Sequence, residues 1–167
     1  MESFETRQDI DATADTVWGV LVDGARYPSW VPGVRDIEGD VSDGHGIRMV
    51  ADDDGRDENL RIVAAANRRL LRWESGAPLG MYTDVLTFTL AETGFGCTAV
   101  LTRELSGPLE GLLGRATEDP QGELDRLARS LKTEAESRVG GSPAPVHTVD
   151  ERQVTGEPPA GAPDAPA

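Results

Sequence analysis

The sequence has little of what catalysis by a nucleophile or a metal ion requires. Its 167 residues include one cysteine, Cys97, and two histidines, His45 and His147. One cysteine cannot form an internal disulfide, and one cysteine with two histidines supplies few of the ligands that a zinc site requires. His45 falls in a predicted hairpin turn and His147 in a proline-rich tail, and neither place holds a catalytic base firmly. The sequence also lacks a glycine-rich phosphate loop, so we expect no metal and no cofactor.

Basic charge and long apolar runs are also scarce. Sixteen basic residues stand against thirty acidic ones, which gives a formal net charge of -14. This charge repels nucleic-acid phosphates and anionic lipid surfaces. No run is long enough to span a membrane, and the first ten residues lack the basic flank and apolar core of a secretion signal. We therefore expect no nucleic-acid partner, no membrane insertion and a cytoplasmic location.

The length predicts one domain that needs no disulfide or structural metal, followed by a tail. Residues 140–167 contain six prolines, no aromatic residue and few large aliphatic residues. Such a composition cannot bury enough apolar surface to offset the entropy lost on ordering. The sequence thus predicts a folded domain over residues 1–139 and a disordered tail over residues 140–167.

The chain opens with a strand and a short helix. Residues 3–10 alternate between two faces, which is typical of a half-buried strand. A helix is expected to begin near Thr13, because Val17, Val20 and Leu21 then recur at helical spacing and form one apolar face. The first strand therefore precedes a helix whose apolar face must pack on a larger surface.

An aromatic corner follows this helix. Residues 27–32, YPSWVP, contain two prolines and two large aromatic residues. This stretch is too stiff for a regular helix and too apolar for a solvated loop, so we expect it to fold back as a corner. Trp18, Tyr27 and Trp30 are either core packing or the rim of a pocket.

Six more strands and a long helix complete the predicted fold. The predicted strands cover residues 34–41, 46–52, 58–66, 70–75, 82–90 and 98–105. Leu124, Leu127 and Leu131 then follow helical spacing. This final helix either begins at the Asp119-Pro120 pair or is joined through a kink to an earlier segment over residues 109–115.

These elements predict an α+β fold in which a curved, seven-stranded antiparallel sheet wraps around the long C-terminal helix. Only this helix is long enough to cover the apolar face of the sheet. A curved sheet cannot close fully around a helix, so a cavity is expected between sheet, helix and corner. Cavities of this kind bind small apolar ligands.

Strand alternation selects the candidate catalytic residues. If Leu86 and Phe88 face the core, then Tyr82 and Asp84 face the same interior. Pairing across a turn at Gly94-Phe95-Gly96 would bring Glu104 of the next strand near Asp84 or Tyr82. Two close carboxyl groups raise one pKa, so Tyr82, Asp84 and Glu104 are the predicted acid–base residues. A register slip of one residue would instead turn these carboxylates toward solvent.

Inward-facing arginines and aromatic residues are the candidate ligand contacts. Arg48, Arg61, Arg72 and Arg103 lie on predicted strands, and one turned inward can bind a ligand carboxylate or neutralise Glu104. The predicted ligand-binding residues lie on the corner, the first helix and the interior strand faces. They are Trp18, Tyr27, Trp30, Met49, Trp73, Phe88 and Thr102.

The chain resembles the START-like helix-grip superfamily (SRPBCC), and within it the polyketide cyclase/dehydrase and lipid-transport branch. The resemblance covers roughly residues 3–138. It rests on Ile10-Asp11-Ala12, on Val17-Trp18 and on the corner over residues 27–32. It implies a cavity for a hydrophobic or aromatic small molecule, but it supplies no fixed set of catalytic residues.

Three functions are compatible with these observations. The leading hypothesis is a carrier or sensor that binds a lipid, quinone or polyketide-like molecule in its cavity. The alternative is a polyketide aromatase/cyclase or dehydrase that uses Tyr82, Asp84 and Glu104. A third is a partner-binding module that uses the final helix and the acidic surface. The abundance of alanine, glycine, aspartate and arginine, with one lysine, indicates a GC-rich bacterial source. The sequence leaves the oligomeric state open.

Overall fold

The computed structural model describes residues 1–52, 55–109 and 119–140. The strands are β1 Glu2–Ile10, β2 Val34–Glu38, β3 Gly46–Ala51, β4 Glu58–Ala64, β5 Leu70–Ala77, β6 Tyr82–Thr93 and β7 Gly96–Ser106. The α-helices within these ranges are α1 Ala14–Val22, α2 Tyr27–Trp30 and α3 Pro120–Gly140. Short 3-10 helices lie at Gly24–Arg26 and Pro78–Gly80.

The strands form one curved antiparallel sheet in the order β1-β7-β6-β5-β4-β3-β2. Strands β2 to β7 are a meander, and β1 pairs with β7 along its whole length, from Glu2 opposite Leu105 to Ile10 opposite Cys97. Helices α1 and α2 therefore connect the two edge strands of the sheet. The predicted seven-stranded helix-grip architecture is confirmed.

Helix α1 begins where the sequence predicts. The Thr13 Oγ1 atom accepts a hydrogen bond from the Thr16 amide at 3.2 Å, which satisfies one free donor of the first turn. Val17, Val20 and Leu21 are fully buried against the core. The predicted apolar face is thus the face that packs.

The aromatic corner contains a helical turn that the sequence analysis did not predict. Pro28 occupies the first turn of α2, where its missing amide hydrogen costs no hydrogen bond. The Val31 amide closes the turn by donating to the Tyr27 carbonyl at 2.8 Å. Gly33 then adopts a positive φ of 75° and directs the chain into β2.

Helix α3 begins at the Asp119-Pro120 pair, as one of the two predicted alternatives has it. The Asp119 carboxylate caps the helix by accepting from the Gly122 amide at 2.9 Å. Leu124 and Leu131 are buried on the face that packs on the sheet and on α1. Beyond Leu109, the alternative segment over residues 109–115 lies outside the described residues.

The core fills the space between the concave face of the sheet and helices α1 and α3. Its fully buried members include Leu21, Ile62, Leu71, Phe88, Leu101 and Leu131. Gly140 ends α3, and the rest of the predicted disordered tail, residues 140–167, lies outside the described residues. Among the described helices, none has the length and hydrophobicity to cross a membrane.

Candidate functional site

A cavity of about 380 Å³ lies between the concave face of the sheet, the end of the corner and the first turns of α3. One part of its wall is apolar and includes Val31, Pro32, Val34, Met49, Leu60, Trp73, Leu86, Leu124 and Leu127. The other part is polar and consists of Glu58, Ser75, Asp84, Arg103, Glu123 and Arg126. The cavity therefore joins an apolar surface to a charged one.

The polar residues of the sheet lie side by side because of the antiparallel register. Glu58 begins β4 and Asp84 stands near the start of β6, whereas Ser75 and Arg103 stand near the ends of β5 and β7. In an antiparallel sheet, the start of one strand lies beside the end of its neighbour. Ser75 is directly opposite Asp84. Four strands thus place four polar side chains at the same end of the concave face.

Asp84 and Arg103 form a multiply hydrogen-bonded ion pair in the cavity wall. The Arg103 Nε atom lies 3.1 Å from both carboxylate oxygens of Asp84, and Nη2 lies 2.5 Å from Oδ2. The Asp84 side chain is 8% exposed and that of Arg103 is 22% exposed. A pair with this geometry and little access to water is held more firmly than a surface ion pair.

Glu123 of α3 holds the same guanidinium group from the other side. The Arg103 Nη1 atom donates to Glu123 Oε2 at 3.2 Å. Burial alone would lower the pKa of Arg103, but the hydrogen bonds and charge of Asp84, together with the charge of Glu123, outweigh burial and raise it. Arg103 is therefore a permanent cation shared by two carboxylates.

Glu58 is a carboxyl group of the cavity whose pKa is raised. Ser75 Oγ donates to Glu58 Oε1 at 2.5 Å. Loss of solvation raises the pKa of Glu58; the Ser75 hydrogen bond lowers it, and the nearby negative charge of Asp84 raises it, with a net increase. Glu58 also keeps contact with solvent at the rim. It therefore retains its proton to a higher pH than an ordinary glutamate does.

Tyr82 lies at the edge of this polar cluster. Its hydroxyl is 3.5 Å from Asp84 Oδ2, at the limit of a hydrogen bond. Burial and the negative charge of Asp84 raise the pKa of Tyr82 to about 12, so its hydroxyl is neutral at physiological pH. Tyr82 lines a groove next to the cavity and does not line the cavity itself. The predicted proximity of Tyr82 and Asp84 is present.

The predicted proximity of Glu104 to Asp84 is wrong. The β6–β7 turn consists of two residues, because Thr93 pairs with Gly96, and this register sets Glu104 opposite Val85. A three-residue turn would have set it opposite Leu86 on the concave face. Instead Glu104 is exposed and Arg103 turns inward. Thr102, which shares the face of Glu104, does not line the cavity either.

The predicted aromatic residues divide between the cavity wall and the core behind it. Trp73 and Met49 line the cavity. Phe88 packs against Trp73 with ring centroids 4.8 Å apart, and Tyr27 lies 5.5 Å from the same ring. Tyr27 also donates its hydroxyl hydrogen to the Leu21 carbonyl. Tyr27 and Phe88 therefore support Trp73 from behind and do not form a rim.

The two remaining tryptophans also lie outside the cavity wall. Trp30 is buried, contacts Tyr27 edge to face at 5.4 Å and lines an outer groove between the corner and α3. Trp18 is half-buried and packs on the core. At the end of the corner, Val31 and Pro32 line the cavity together with the following Gly33, and Trp18, Tyr27 and Trp30 do not.

Glu58, Ser75 and Glu123 are cavity residues that the sequence analysis did not select. Glu58 stands two residues before the buried Leu60, and Ser75 stands two residues after the buried Trp73. The period of two in a strand places each pair on one face, so this signal was present in the sequence. Within the described residues, no group of three or more acidic, histidine or cysteine side chains is arranged to hold a metal ion.

A comparison with known protein families assigns the chain to one of them. A family model described as polyketide cyclase / dehydrase and lipid transport matches residues 1–136. The chain belongs to this family. Among curated proteins, none matches the sequence significantly. Membership in the family supports a ligand-binding or cyclase role for the chain.

Several solved structures share the fold at low sequence identity. A protein of Mesorhizobium loti is 17% identical with a TM-score of 0.65, over 82% of this chain and 98% of that protein. The Zhui aromatase/cyclase of Streptomyces sp. R1128 is 19% identical with a TM-score of 0.63, over 83% and 95%. Truncated norcoclaurine synthase of Thalictrum flavum is 18% identical with a TM-score of 0.60, over 80% and 92%. These similarities show the fold.

Proposed function

We propose that this protein binds a small hydrophobic or aromatic molecule in the cavity and acts as its carrier or sensor. The observation that carries the proposal is the division of the cavity wall. Trp73, Met49 and Leu86 offer an apolar surface, and Glu58 and Ser75 offer hydrogen-bonding groups at one end. Ligand sites typically combine a mostly apolar wall with a few polar groups that fix the orientation of the ligand.

The volume of the cavity limits the size of the ligand that it can hold. About 380 Å³ lies toward the lower end of the range of about 300–1,000 Å³ that small-molecule sites occupy. The wall includes the rigid ring of Trp73, which is fixed by Phe88 and Tyr27 behind it. A flat molecule of one to three rings with a polar substituent therefore suits the cavity better than a long acyl chain.

Direct binding measurements test the proposal. Native mass spectrometry of the protein purified without detergent should reveal a bound molecule. Ring compounds with one polar group, such as 2-naphthol or a naphthoquinone, should raise the melting temperature in proportion to their affinity. The absence of both a bound molecule and any melting shift across lipids, quinones and polyketide-like compounds would contradict a carrier or sensor role.

A cavity-filling variant identifies where the ligand binds. Leu86 lines the cavity on β6, so Leu86→Trp should occupy the space of a ligand ring and weaken 2-naphthol binding at least tenfold. Phe95→Trp is the control, because Phe95 is almost fully exposed in the β6–β7 turn. Isothermal titration calorimetry measures both affinities. Equal affinities in the two variants, with both folded, would place the ligand outside the cavity.

A second candidate function is cyclisation of a poly-ketone with Glu58 as the acid–base residue. The support is the raised pKa of Glu58 at a cavity of a family that includes cyclases. The Glu58 carboxylate would remove a proton from a carbon between two carbonyl groups. The enolate would attack a distant carbonyl carbon, and the new alkoxide would take the proton back. A pKa nearer neutrality suits both steps.

Matched carboxylate variants test this second function. Glu58→Gln should lower the kcat of any cyclisation by at least about a hundredfold, which is a typical loss for a general acid or base. Glu104→Gln removes the same charge on the exposed face and should leave kcat within about twofold. Turnover that survives Glu58→Gln unchanged would exclude this role for Glu58.

A further inference from the structure

We propose that Asp84 masks Arg103, so that the cavity accepts uncharged ligands and rejects carboxylates. The inference deepens the proposed function and rests on it, because it concerns which molecules the same cavity admits. It assigns to Asp84 a role in specificity in place of the catalytic role predicted from the sequence.

The hydrogen bonds of Arg103 carry the first step. A guanidinium group binds a carboxylate through a pair of parallel N–H groups. Asp84 occupies the pair formed by Nε and Nη2. Glu123 occupies Nη1, which belongs to the second pair. Neither pair is therefore free for the carboxylate of a ligand, although Arg103 is the cation that faces the cavity from the sheet.

The charge of the cavity wall carries the second step. The lining residues include three carboxyl groups, Glu58, Asp84 and Glu123, and two guanidinium groups, Arg103 and Arg126. The wall has no surplus positive charge, whether Glu58 is ionised or protonated. A ligand carboxylate would lose its hydration on entry. The cation it would meet outside the Asp84–Arg103–Glu123 cluster is Arg126, which is exposed on α3, where solvent screens its charge.

An uncharged ligand avoids this loss. A hydroxyl or carbonyl group costs far less to desolvate than a carboxylate does. Each Nη atom of Arg103 carries two N–H groups, of which the structure uses one, so single donors remain for a neutral acceptor. Phenols, ketones and quinones thus meet hydrogen-bond partners at the polar end without the need to displace Asp84.

A pair of probes with the same ring system tests the selection. Calorimetry at pH 7 would compare 2-naphthol, which is uncharged, with 2-naphthoate. The wild-type protein should bind 2-naphthol at least about tenfold more tightly, since a charge-assisted hydrogen bond left unmade has about this effect. Wild-type protein that binds 2-naphthoate as tightly as 2-naphthol would overturn the proposal.

Removal of the mask should abolish the preference for the uncharged probe. Asp84→Asn removes the negative charge that pairs with Arg103 and leaves one amide oxygen as acceptor in place of two carboxylate oxygens, so the affinity for 2-naphthoate should rise at least about tenfold while that for 2-naphthol changes less than about threefold. The double variant Asp84→Asn with Arg103→Gln should lose this gain. Glu104→Gln, which removes a carboxylate from the opposite face of β7, should bind both probes like the wild type.

Glu123→Gln supplies a second variant that does not disturb the sheet. The Glu123 side chain is 43% exposed, so this substitution should leave the protein folded. It removes the negative charge beside Nη1, although the amide oxygen can still accept a hydrogen bond, and it should raise the affinity for 2-naphthoate severalfold. If neither Asp84→Asn nor Glu123→Gln gains affinity for 2-naphthoate while 2-naphthol still binds, the masking proposal is contradicted but the proposed function is not. No binding of either probe to any variant would contradict the proposed function as well.

Discussion

Strand β7 carries a charged residue on each of its two faces, and the two charges lie in different surroundings. Arg103 and Glu104 are neighbours in the sequence, but Arg103 turns toward the cavity and Glu104 toward solvent. Arg103 is held by two carboxylates, whereas Glu104 is exposed. The effect of a charge on β7 therefore depends on the face of the sheet that carries it, because the concave face is shielded from water to a greater extent than the convex face.

Truncation of an apolar residue on each face should give the largest difference. Leu101 is fully buried on the concave face, and its neighbour Val100 is only half-buried on the convex face. Leu101→Ala should lower the free energy of unfolding by about 2–5 kcal/mol, through lost burial and a cavity, and Val100→Ala by less than about 1 kcal/mol. Urea unfolding measures both. Similar losses in the two variants would contradict the difference in burial between the two faces.

Removal of one charge from each face should give the next largest difference. Arg103→Gln leaves the buried Asp84 carboxylate without its cation and should cost about 2–3 kcal/mol, which is less than for a fully buried pair because Arg103 keeps some solvent contact. Glu104→Gln should change stability by less than about 0.5 kcal/mol. A double-mutant cycle with Asp84→Asn should show a coupling between Asp84 and Arg103 and none between Asp84 and Glu104.

The pH dependence of stability should give the smallest difference. The pKa of Glu58 is raised in the folded state, so its protonated form favours folding and this contribution is lost as the pH rises through the raised pKa. The groups that face Glu58 are Ser75, Asp84, Arg103 and Glu123.

Glu58→Gln tests this pH effect directly. Above the raised pKa, Glu58→Gln should be more stable than the wild type by a few tenths of a kcal/mol, because solvent at the rim screens the effect. Urea unfolding from about pH 4 to pH 8 would show the difference growing with pH. A difference that shrinks as the pH rises would show that the pKa of Glu58 is lowered, contrary to the structure.

Much of the fold was predictable because periodic burial leaves a direct record in the sequence. Alternation in residues 82–90 placed Asp84, Leu86 and Phe88 on one face, and the structure confirms that face. Helical spacing identified the buried face of α3 in the same way. These predictions depend on neighbours along one element, and the period of a strand or helix is fixed by its backbone geometry.

The errors at Glu104 and Thr102 came from one residue of register. The sequence predicts a β6–β7 turn of three residues, but the turn has two. The side chains of β7 that face inward are therefore Arg103 and the residues that alternate with it, and not Thr102 and Glu104. The domain boundary at residue 139, the disordered tail, the cytoplasmic location and the catalytic roles of Tyr82 and Asp84 stay predictions, whereas the exposed position of Glu104 on the opposite face of β7 separates it from the cavity.

The seven strands, helices α1 and α3, their order and the family followed from the sequence, because local spacing of apolar residues and a few motif residues suffice for these. The contacts of Arg103 with Asp84 and Glu123, and of Glu58 with Ser75, could be established only from the folded chain. These contacts join residues of different strands and of α3, and their partners depend on the sheet register and the position of the helix. The arrangement of charges in the cavity wall therefore depends on the fold, although the sequence contains every charged residue.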